Sequence, residues 1–242
     1  MYLKDYFSNI KKKYSKYSFS NITFDSSKVK KNYIFFAIKG NNFDGHDFIG
    51  KAIEKGSRII VYEKKFTGLK NGILFLYSKN IRKQLAQISF RLNSSIPSNL
   101  VAVTGTNGKS SVADFYFQIL KLNNKKVASI GTLGIKTNYS FNELPNTTID
   151  PINLGKILTK LKKKKIENVI MEASSHGLDQ NRLDGLKFNV GIFTNLSHDH
   201  LDYHKSMNKY LMAKLYLFKN LINKNKNVVT DQYISQYAIL KK

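Results

Sequence analysis

The central part of the chain alternates short apolar runs with amphipathic segments. Leu100 to Val103 is an uninterrupted apolar run, which is typical of a buried strand. A loop with two glycines follows it. Apolar residues then recur at the spacing of one buried helix face, at Val112, Phe115, Tyr116, Ile119 and Leu120. The pattern therefore predicts a strand, a glycine-bearing loop and a helix, in that order.

The first hundred residues show the same alternation in shorter elements. Strands are predicted at 22–24, 33–38, 58–62 and 72–77, and helices at 48–55 and 81–92. Turn residues and a proline follow at 93–99 and cannot continue the second helix. We therefore predict that residues 1–96 form a small N-terminal α/β domain.

The remaining residues, 97–242, predict a second α/β domain with a mostly parallel sheet. Its further strands are predicted at 127–130, 168–171, 190–194 and 227–230, and its further helices at 151–161 and 207–223. Asp150 and Pro151 supply the cap and the first residue of the earlier helix. Residues 138–148 lack periodicity and are predicted to be a polar connection.

The loop after the first of these strands has the composition of a phosphate-binding loop. Gly105 and Gly108 allow backbone N–H groups to turn inward at positions where a Cβ would obstruct them. Lys109 supplies a mobile charge to outer phosphates, and the Ser110 hydroxyl is a ligand for Mg²⁺. The complete P-loop pattern has a further glycine where this chain has Val103, so only its second half is present.

Composition narrows the class of protein. The 242 residues include no cysteine, which excludes disulfides and thiolate metal sites. The formal net charge of +24 raises nucleic-acid binding as an alternative, but only four of the 40 basic residues are arginine, the side chain that base and phosphate readers favour. No run of 18 apolar residues or charged-then-apolar leader occurs, and we predict a cytoplasmic protein.

Polar residues follow two of the predicted strands. Glu172 ends one strand, and Asn195 follows another and precedes a segment with three histidines and two aspartates, 197–204. Ligand chemistry in doubly wound sheets lies at the carboxyl ends of the strands. Together with the phosphate-binding loop, these residues predict a Mg²⁺–nucleotide site.

Four segments resemble the Mur ligases: 103–111, 172–178, 180–182 and 194–204. The Ser-Ser-His-Gly-Leu and Asp-His-Leu-Asp-Tyr-His signatures within them are more specific than the loop alone. Members of this family use ATP to convert a carboxylate to an acyl phosphate, which an amine then attacks. The resemblance implies a small N-terminal uridine-nucleotide-binding α/β domain, a P-loop central domain with a mostly parallel sheet, and a third, C-terminal domain that this chain does not include. The chain is expected to be inactive without it.

The resemblance also implies a role for individual residues. ATP would be held by Gly105, Thr106, Asn107, Gly108, Lys109, Ser110, Ser111 and Asn195. The metal ligands would be Ser110, Glu172 and His200. The residues of the reaction itself would be Lys109, Glu172, His200 and Lys214, the last as a carbamate. The uridine end of the substrate would contact Ser26, Asn41, Asn42 and Phe43, and its muramoyl peptide Asn146, Thr147, Thr148, Ser174, Gln180 and Arg182.

The implied partners are ATP, Mg²⁺, UDP-MurNAc-L-Ala-D-Glu and a free amino acid. No nucleic-acid or membrane partner is expected, and the chain is expected to be a monomer. The resemblance is greatest to the member that adds the third residue of the peptide, meso-diaminopimelate or L-lysine; the sequence leaves that choice open. Another Mur ligase, a folylpolyglutamate synthase and a basic nucleic-acid-binding P-loop ATPase are the alternatives.

Overall fold

The computed structural model describes residues 1–8, 10–40, 43–143 and 147–240. The chain divides into two compact units, Met1–Arg91 and Leu92–Lys242. Each unit has its own sheet and its own core. The mixed α/β class with mostly parallel sheets is confirmed.

The first unit is built on a five-stranded sheet. Its elements are β1 (Asn21–Thr23), β2 (Tyr33–Phe36), α1 (Ile49–Glu54), β3 (Ile59–Tyr62), β4 (Gly68–Lys70), β5 (Ile73–Tyr77) and α2 (Ile81–Leu92). The strand order is β1-β2-β3-β5-β4, and only β4 runs antiparallel to its neighbour. Phe35, Ile60 and Ala52 pack together where α1 covers the sheet. The apolar runs of the sequence thus become the buried strands.

The second unit is built on a seven-stranded sheet. Its strands are β6 (Asn99–Thr104), β7 (Val127–Gly131), β8 (Gly134–Thr137), β9 (Phe141–Asn142), β10 (Asn168–Glu172), β11 (Phe188–Phe193) and β12 (Ile222–Thr230). Its helices are α3 (Lys109–Leu122), α4 (Pro151–Lys163), α5 (Ser175–Asp179), α6 (Leu201–His204), α7 (Met207–Tyr216) and α8 (Tyr237–Leu240). The order β12-β11-β6-β10-β7-β8-β9 places β6 and β10 side by side in the middle. Their carboxyl ends therefore meet at one edge of the sheet.

Two predicted elements differ from the structure. The polar connection contains the short strand β9, and β8 precedes it; both pair antiparallel as a meander that extends the sheet beyond β7. The helix predicted at 207–223 ends at Tyr216, and a wider turn, Leu217–Leu221, follows before β12 begins. Leu217 and Leu221 are buried in this turn, so they keep the apolar spacing of a helix although the backbone changes from an α-helix to a wider π-helical turn.

The predicted start of α4 is confirmed. The Asp150 carboxylate accepts hydrogen bonds from the backbone N–H groups of Ile152 and Asn153, at 3.1 and 3.0 Å.

We expect Asp150→Ala to lower stability by about 1 kcal/mol, because two helical N–H groups lose their acceptor. The melting midpoint should fall by about 2–4 °C. Lys156→Ala on the exposed face of α4 is the matched control, and an equal shift in both variants would contradict the capping role.

Candidate active site

The glycine-bearing loop connects β6 to α3. Gly105 and Gly108 both have positive φ, +148° and +82°, and Gly108 is the residue that precedes the first turn of α3. A Cβ on Gly105 would lie 3.1 Å from the backbone nitrogen of Asn195 and closer still to the Thr194 hydroxyl. Glycine is therefore required here by both backbone conformation and space, and the positive end of α3 faces the loop.

The end of β11 holds the loop in shape. The Thr194 hydroxyl donates to the carbonyl of Asn107 at 2.6 Å, and the Asn195 side-chain oxygen accepts from the Asn107 N–H at 2.9 Å. The Ser197 N–H donates to the Thr106 hydroxyl at 3.0 Å. The predicted nucleotide-binding residues Thr106, Asn107 and Asn195 are thus brought together, and Asn195 supports the loop through its amide.

Lys109 folds back over the loop. Its ammonium donates to the carbonyls of Gly105 and Thr106, at 3.0 and 2.7 Å. Burial lowers the pKa of Lys109, and the charges of Glu172 and Asp199 partly oppose that shift. The ammonium therefore lies among the loop carbonyls with carboxylates nearby. Ser110 and Ser111 follow in the first turn of α3, half-buried and exposed respectively.

Lys214 reaches the same loop from α7. It is 1% exposed, and its ammonium donates to the Gly105 carbonyl at 2.6 Å, so two lysines share one acceptor. The Lys214 nitrogen also lies 4.2 Å from the centroid of the Tyr210 ring. Burial, and then the charge of Lys109, lower the pKa of Lys214 to about 7, with Asp199 opposing the shift. A large fraction of this amine is neutral near pH 7.

Glu172 ends β10 and lies beside the loop after β7. Its side chain is buried, although carboxylates are rarely buried without partners. One carboxylate oxygen accepts from the backbone N–H of Thr132 at 2.9 Å, and the other from the Thr132 hydroxyl at 3.1 Å. These two bonds fix the orientation of the carboxylate.

His200 is the residue before α6 and has a left-handed backbone, with φ of +52°. Its side chain is about half exposed, and its Nε2 lies 3.4 Å from a carboxylate oxygen of Asp199. The His200 ring packs edge-on against His176, with 4.9 Å between centroids, and lies 6.1 Å from the Tyr210 ring. The Tyr210 hydroxyl lies 3.2 Å from that of Thr106, so these rings connect His200 to the loop.

Two more histidines lie behind His200. His204 is buried, its ring centroid lies 5.5 Å from that of His176, and its Nε2 has no hydrogen-bond partner among the described residues. Burial lowers the pKa of His204, and burial followed by the charge of His200 lowers the pKa of His176. Both rings are therefore neutral at pH 7.

We expect this cluster to make stability depend on pH. With the pKa lowered in the folded state, the unfolded chain binds more protons as pH falls below the ordinary histidine value of about 6.5. The stabilisation is thus present above that pH and is lost towards pH 5. Melting midpoints of the wild type should fall more between pH 7 and 5 than those of His204→Phe, which keeps a ring but cannot titrate. If the melting midpoints of the wild type and His204→Phe fell by the same amount between pH 7 and 5, this role of His204 would be contradicted.

Five of the residues predicted to hold the muramoyl peptide form one network. The Thr148 hydroxyl lies 3.0 Å from both the Glu172 carbonyl and the Ser174 hydroxyl. Arg182 donates to the Thr148 carbonyl and, at 2.8 Å, to the side-chain oxygen of Gln180. The fifth, Thr147, lies 3.0 Å from the Thr132 hydroxyl. Asn146 lies outside the described residues.

The residues predicted to hold the uridine end lie in the first unit. Ser26 begins a helical turn, Ser26–Lys28, which Asp25 caps by accepting from the Ser27 N–H at 2.8 Å. Phe43 is 73% exposed, unusually so for an aromatic ring, and stacks edge-on against Phe48. Asn41 and Asn42 lie outside the described residues. No contact among the described residues joins Ser26 to Phe43, so their common role stays a prediction.

A separate cavity of ≈ 390 Å³ occurs in the first unit. Its lining is Ile49, Tyr62, Lys64, Phe66, Lys70 and Phe75, none of which the sequence had singled out.

The side chains beside the loop suit a magnesium ion that also contacts phosphates. Glu172 supplies an oriented carboxylate, and Ser110 supplies a hydroxyl in the first turn of α3. No group of three or more histidine, cysteine or acidic side chains with metal-binding geometry occurs within the described part of the chain. Mg²⁺ commonly keeps several waters and binds through one or two carboxylates plus substrate phosphates, so a site with few protein ligands fits it.

Several residues of this site received no role in the sequence analysis. The fold brings Thr194 and Tyr210 to the loop after β6, and it brings Thr132 to the Glu172 carboxylate. His176 also received no role, although it lies in a segment that carries the resemblance. Its position shortly after the end of a strand could have indicated that it belongs to the site.

Comparison with known proteins matches two protein families to the two parts of the chain. The Mur ligase middle domain matches residues 103–242, and the Mur ligase family catalytic domain matches residues 18–98. The chain belongs to the Mur ligase family.

Among its relatives are two enzymes named UDP-N-acetylmuramoyl-L-alanyl-D-glutamate–2,6-diaminopimelate ligase. The one from Rickettsia conorii is 39% identical over 240 residues, which is 96% of this chain and 49% of that protein. The one from Wigglesworthia glossinidia brevipalpis is 40% identical over 224 residues, 86% of this chain and 45% of that protein. A solved structure of a ligase of the same name superposes with a TM-score of 0.84 at 25% identity, covering 100% of this chain and 49% of the other. The chain thus spans about half the length of the relatives it matches.

No helix in the described part of the chain is long and apolar enough to cross a membrane.

Proposed function

We propose that this chain carries the nucleotide and substrate sites of an ATP-dependent ligase that adds the third residue to UDP-MurNAc-L-Ala-D-Glu. One observation carries the proposal: Glu172 joins two sites. Its carboxylate lies close enough to Lys109 to influence that lysine's pKa, and its backbone carbonyl lies 3.0 Å from the Thr148 hydroxyl of the predicted peptide-binding network. A phosphate donor and a peptide carboxylate would therefore meet at the end of β10.

The chemistry proceeds in two balanced steps. The substrate carboxylate attacks the γ-phosphorus of ATP, and ADP leaves, giving an acyl phosphate. The amine of the incoming amino acid then attacks the acyl carbon, loses a proton, and phosphate leaves. Bound Mg²⁺ would neutralise the charge that develops on the transferred phosphoryl group.

The residues of this chain would orient and stabilise the reactants. The loop N–H groups and the start of α3 would bind the phosphates, and Lys109 would leave its loop carbonyls to contact the outer phosphate. Ser110, Glu172 and His200 would hold the metal. Arg182, already fixed by Gln180 and Thr148, would orient the peptide end of the substrate. Reaction in the cytoplasm follows from the proposed use of ATP and a UDP-linked substrate.

Lys214 is proposed to act as a carbamate. A neutral amine reacts with carbon dioxide, and the product replaces a positive charge with oxygen atoms of the kind that Mg²⁺ prefers. The pKa of about 7 supports this, because burial leaves much of the amine uncharged.

The relatives support 2,6-diaminopimelate as the added residue, since that amino acid is part of their printed names. They also favour this ligase over a folylpolyglutamate synthase. A nucleic-acid-binding ATPase is the candidate of a different class, which the net charge of +24 brings into consideration.

Calorimetry tests the proposal, with UDP-MurNAc-L-Ala-D-Glu and Mg²⁺–ATP titrated separately into the chain. We expect both to bind. A DNA duplex titrated at about 50 and 200 mM salt serves as the contrast. Binding of DNA that weakens steeply with salt, without binding of the UDP-linked peptide, would refute the ligase assignment.

A further inference from the structure

Thr132 lies in the turn between β7 and β8, between Glu172 and Thr147. Its backbone N–H and its hydroxyl both donate to the Glu172 carboxylate, at 2.9 and 3.1 Å. The Thr147 hydroxyl oxygen lies 3.0 Å from that of Thr132. The three side chains therefore form a chain of hydrogen bonds from the predicted metal ligand to the predicted substrate site.

The protons along this chain have a defined order. A hydroxyl carries one proton, and a carboxylate has none to give. The Thr132 proton points to Glu172, so Thr132 has only lone pairs left for its other neighbour. The bond between the two threonines must then be donated by Thr147. With its proton used, the Thr147 oxygen offers only lone pairs to a ligand.

We infer that Thr132 is a positioning residue that orients Glu172 and makes Thr147 a hydrogen-bond acceptor for an amide N–H of the substrate. The inference rests on the proposed function, because it concerns the peptide part of that substrate. A carboxylate or phosphate oxygen would be repelled by the Thr147 lone pairs, whereas an N–H group complements them.

The neighbouring Thr148 hydroxyl has no proton to offer a ligand either. Its single proton has two acceptors within the protein, the Glu172 carbonyl and the Ser174 oxygen, each at 3.0 Å. Among the amides of the proposed substrate, the L-Ala–D-Glu linkage is the nearest to the reacting D-Glu carboxylate, so its N–H is the group that Thr147 would accept.

The test compares two ligands by calorimetry without ATP: UDP-MurNAc-L-Ala-D-Glu and its depsipeptide analogue, in which an ester oxygen replaces the N–H of the L-Ala–D-Glu bond. The wild type should bind the analogue about five- to tenfold more weakly, the usual effect of losing one neutral hydrogen bond. Thr147→Val should bind both ligands with nearly equal affinity. Thr147→Ser, which keeps the hydroxyl, should retain the wild-type ratio.

Variants of Thr132 separate positioning from packing. Thr132 is exposed, so its substitution should leave the fold intact. Thr132→Val keeps the backbone bond to Glu172 but frees the Thr147 proton, so the ratio between the two ligands should shrink towards one, while Thr132→Ser restores it. Electron paramagnetic resonance measures Mn²⁺ binding in the presence of ATP. We expect this affinity to be several-fold lower in Thr132→Val than in the wild type and to be unchanged in Thr132→Ser.

The outcomes distinguish this inference from the proposed function. If the wild type does not bind the UDP-linked peptide, both are wrong. Wild-type binding with equal affinity for the ester analogue would overturn the inference alone, as would an unchanged ligand ratio in Thr147→Val.

Discussion

Lys109→Ala is expected to weaken binding of Mg²⁺–ATP strongly and to leave binding of the uridine nucleotide unchanged. The ammonium lies among the loop carbonyls at the start of α3, where a hydrogen bond to a charged phosphate contributes about 1.5–3 kcal/mol. That range corresponds to a loss of roughly ten- to 150-fold in affinity. The uridine end is predicted to bind in the first unit, which has its own sheet and core. Calorimetry with each ligand measures the two effects.

The control for Lys109→Ala is Lys121→Ala, which removes an exposed lysine from the same helix. Its affinity for both ligands should equal that of the wild type. If Lys109→Ala weakened both ligands equally, the assignment of two separate sites would be wrong.

Lys214→Ala is expected to remove most ligase activity from a form of the protein that has the full length of its relatives. A carbamate at this position would supply an oxygen ligand to bound Mg²⁺, and such charge stabilisation contributes several kcal/mol, or about a hundredfold or more in rate. Short carboxylates added to the assay should partly restore activity. Lys209→Ala, an exposed position on α7, is the control. Failure of the rescue would indicate that Lys214 serves only to pack α7 against the loop.

Carbamate formation on Lys214 should depend on pH in a defined direction. Only the neutral amine reacts, and with the pKa lowered to about 7 its fraction rises between pH 6 and 8. An ordinary lysine is neutral in only about one molecule in a thousand near pH 7.4. Nuclear magnetic resonance with ¹³C-labelled bicarbonate should show a carbamate signal that grows over this range and is missing in Lys214→Ala. A wild type without that signal at pH 8 would contradict the modification.

The unmodified amine should also affect stability. The folded chain binds fewer protons than the unfolded chain between about pH 7 and the ordinary lysine value of 10.5, so the contribution of Lys214 to stability rises with pH over that window.

The sequence predicted the parts of the site that local pattern defines. Apolar runs and helical spacing identified β6 and α3, and the position of Glu172 after a strand placed it at a carboxyl edge. The role of Thr132 was not predictable in this way, because it depends on β7 lying next to β10, whereas β6 lies on the other side of β10. Strand order is determined by the packing of the whole sheet, so the sequence of a single strand does not predict it.

The turn Leu217–Leu221 shows that an apolar pattern can predict burial without predicting the backbone conformation. Leu217 and Leu221 are spaced as on a helix and are buried, so the periodic pattern is correct about burial. It cannot show that the backbone widens there before β12. The role of Lys109 came from the composition of the loop, and those of His200 and Lys214 came from the resemblance; all three remain predictions.

The hydrogen bonds that shape the loop after β6 also have a consequence for the order of folding. Asn107 pairs with Asn195 across 88 residues, and Gly105 accepts from Lys214 across 109 residues. Contacts so distant in sequence form late, because the intervening chain must first be ordered. The strand and helix that flank the loop are local and can form early. A nascent chain should therefore acquire this helix well before it can bind nucleotide, and nucleotide binding should report the last stage of folding of the second unit.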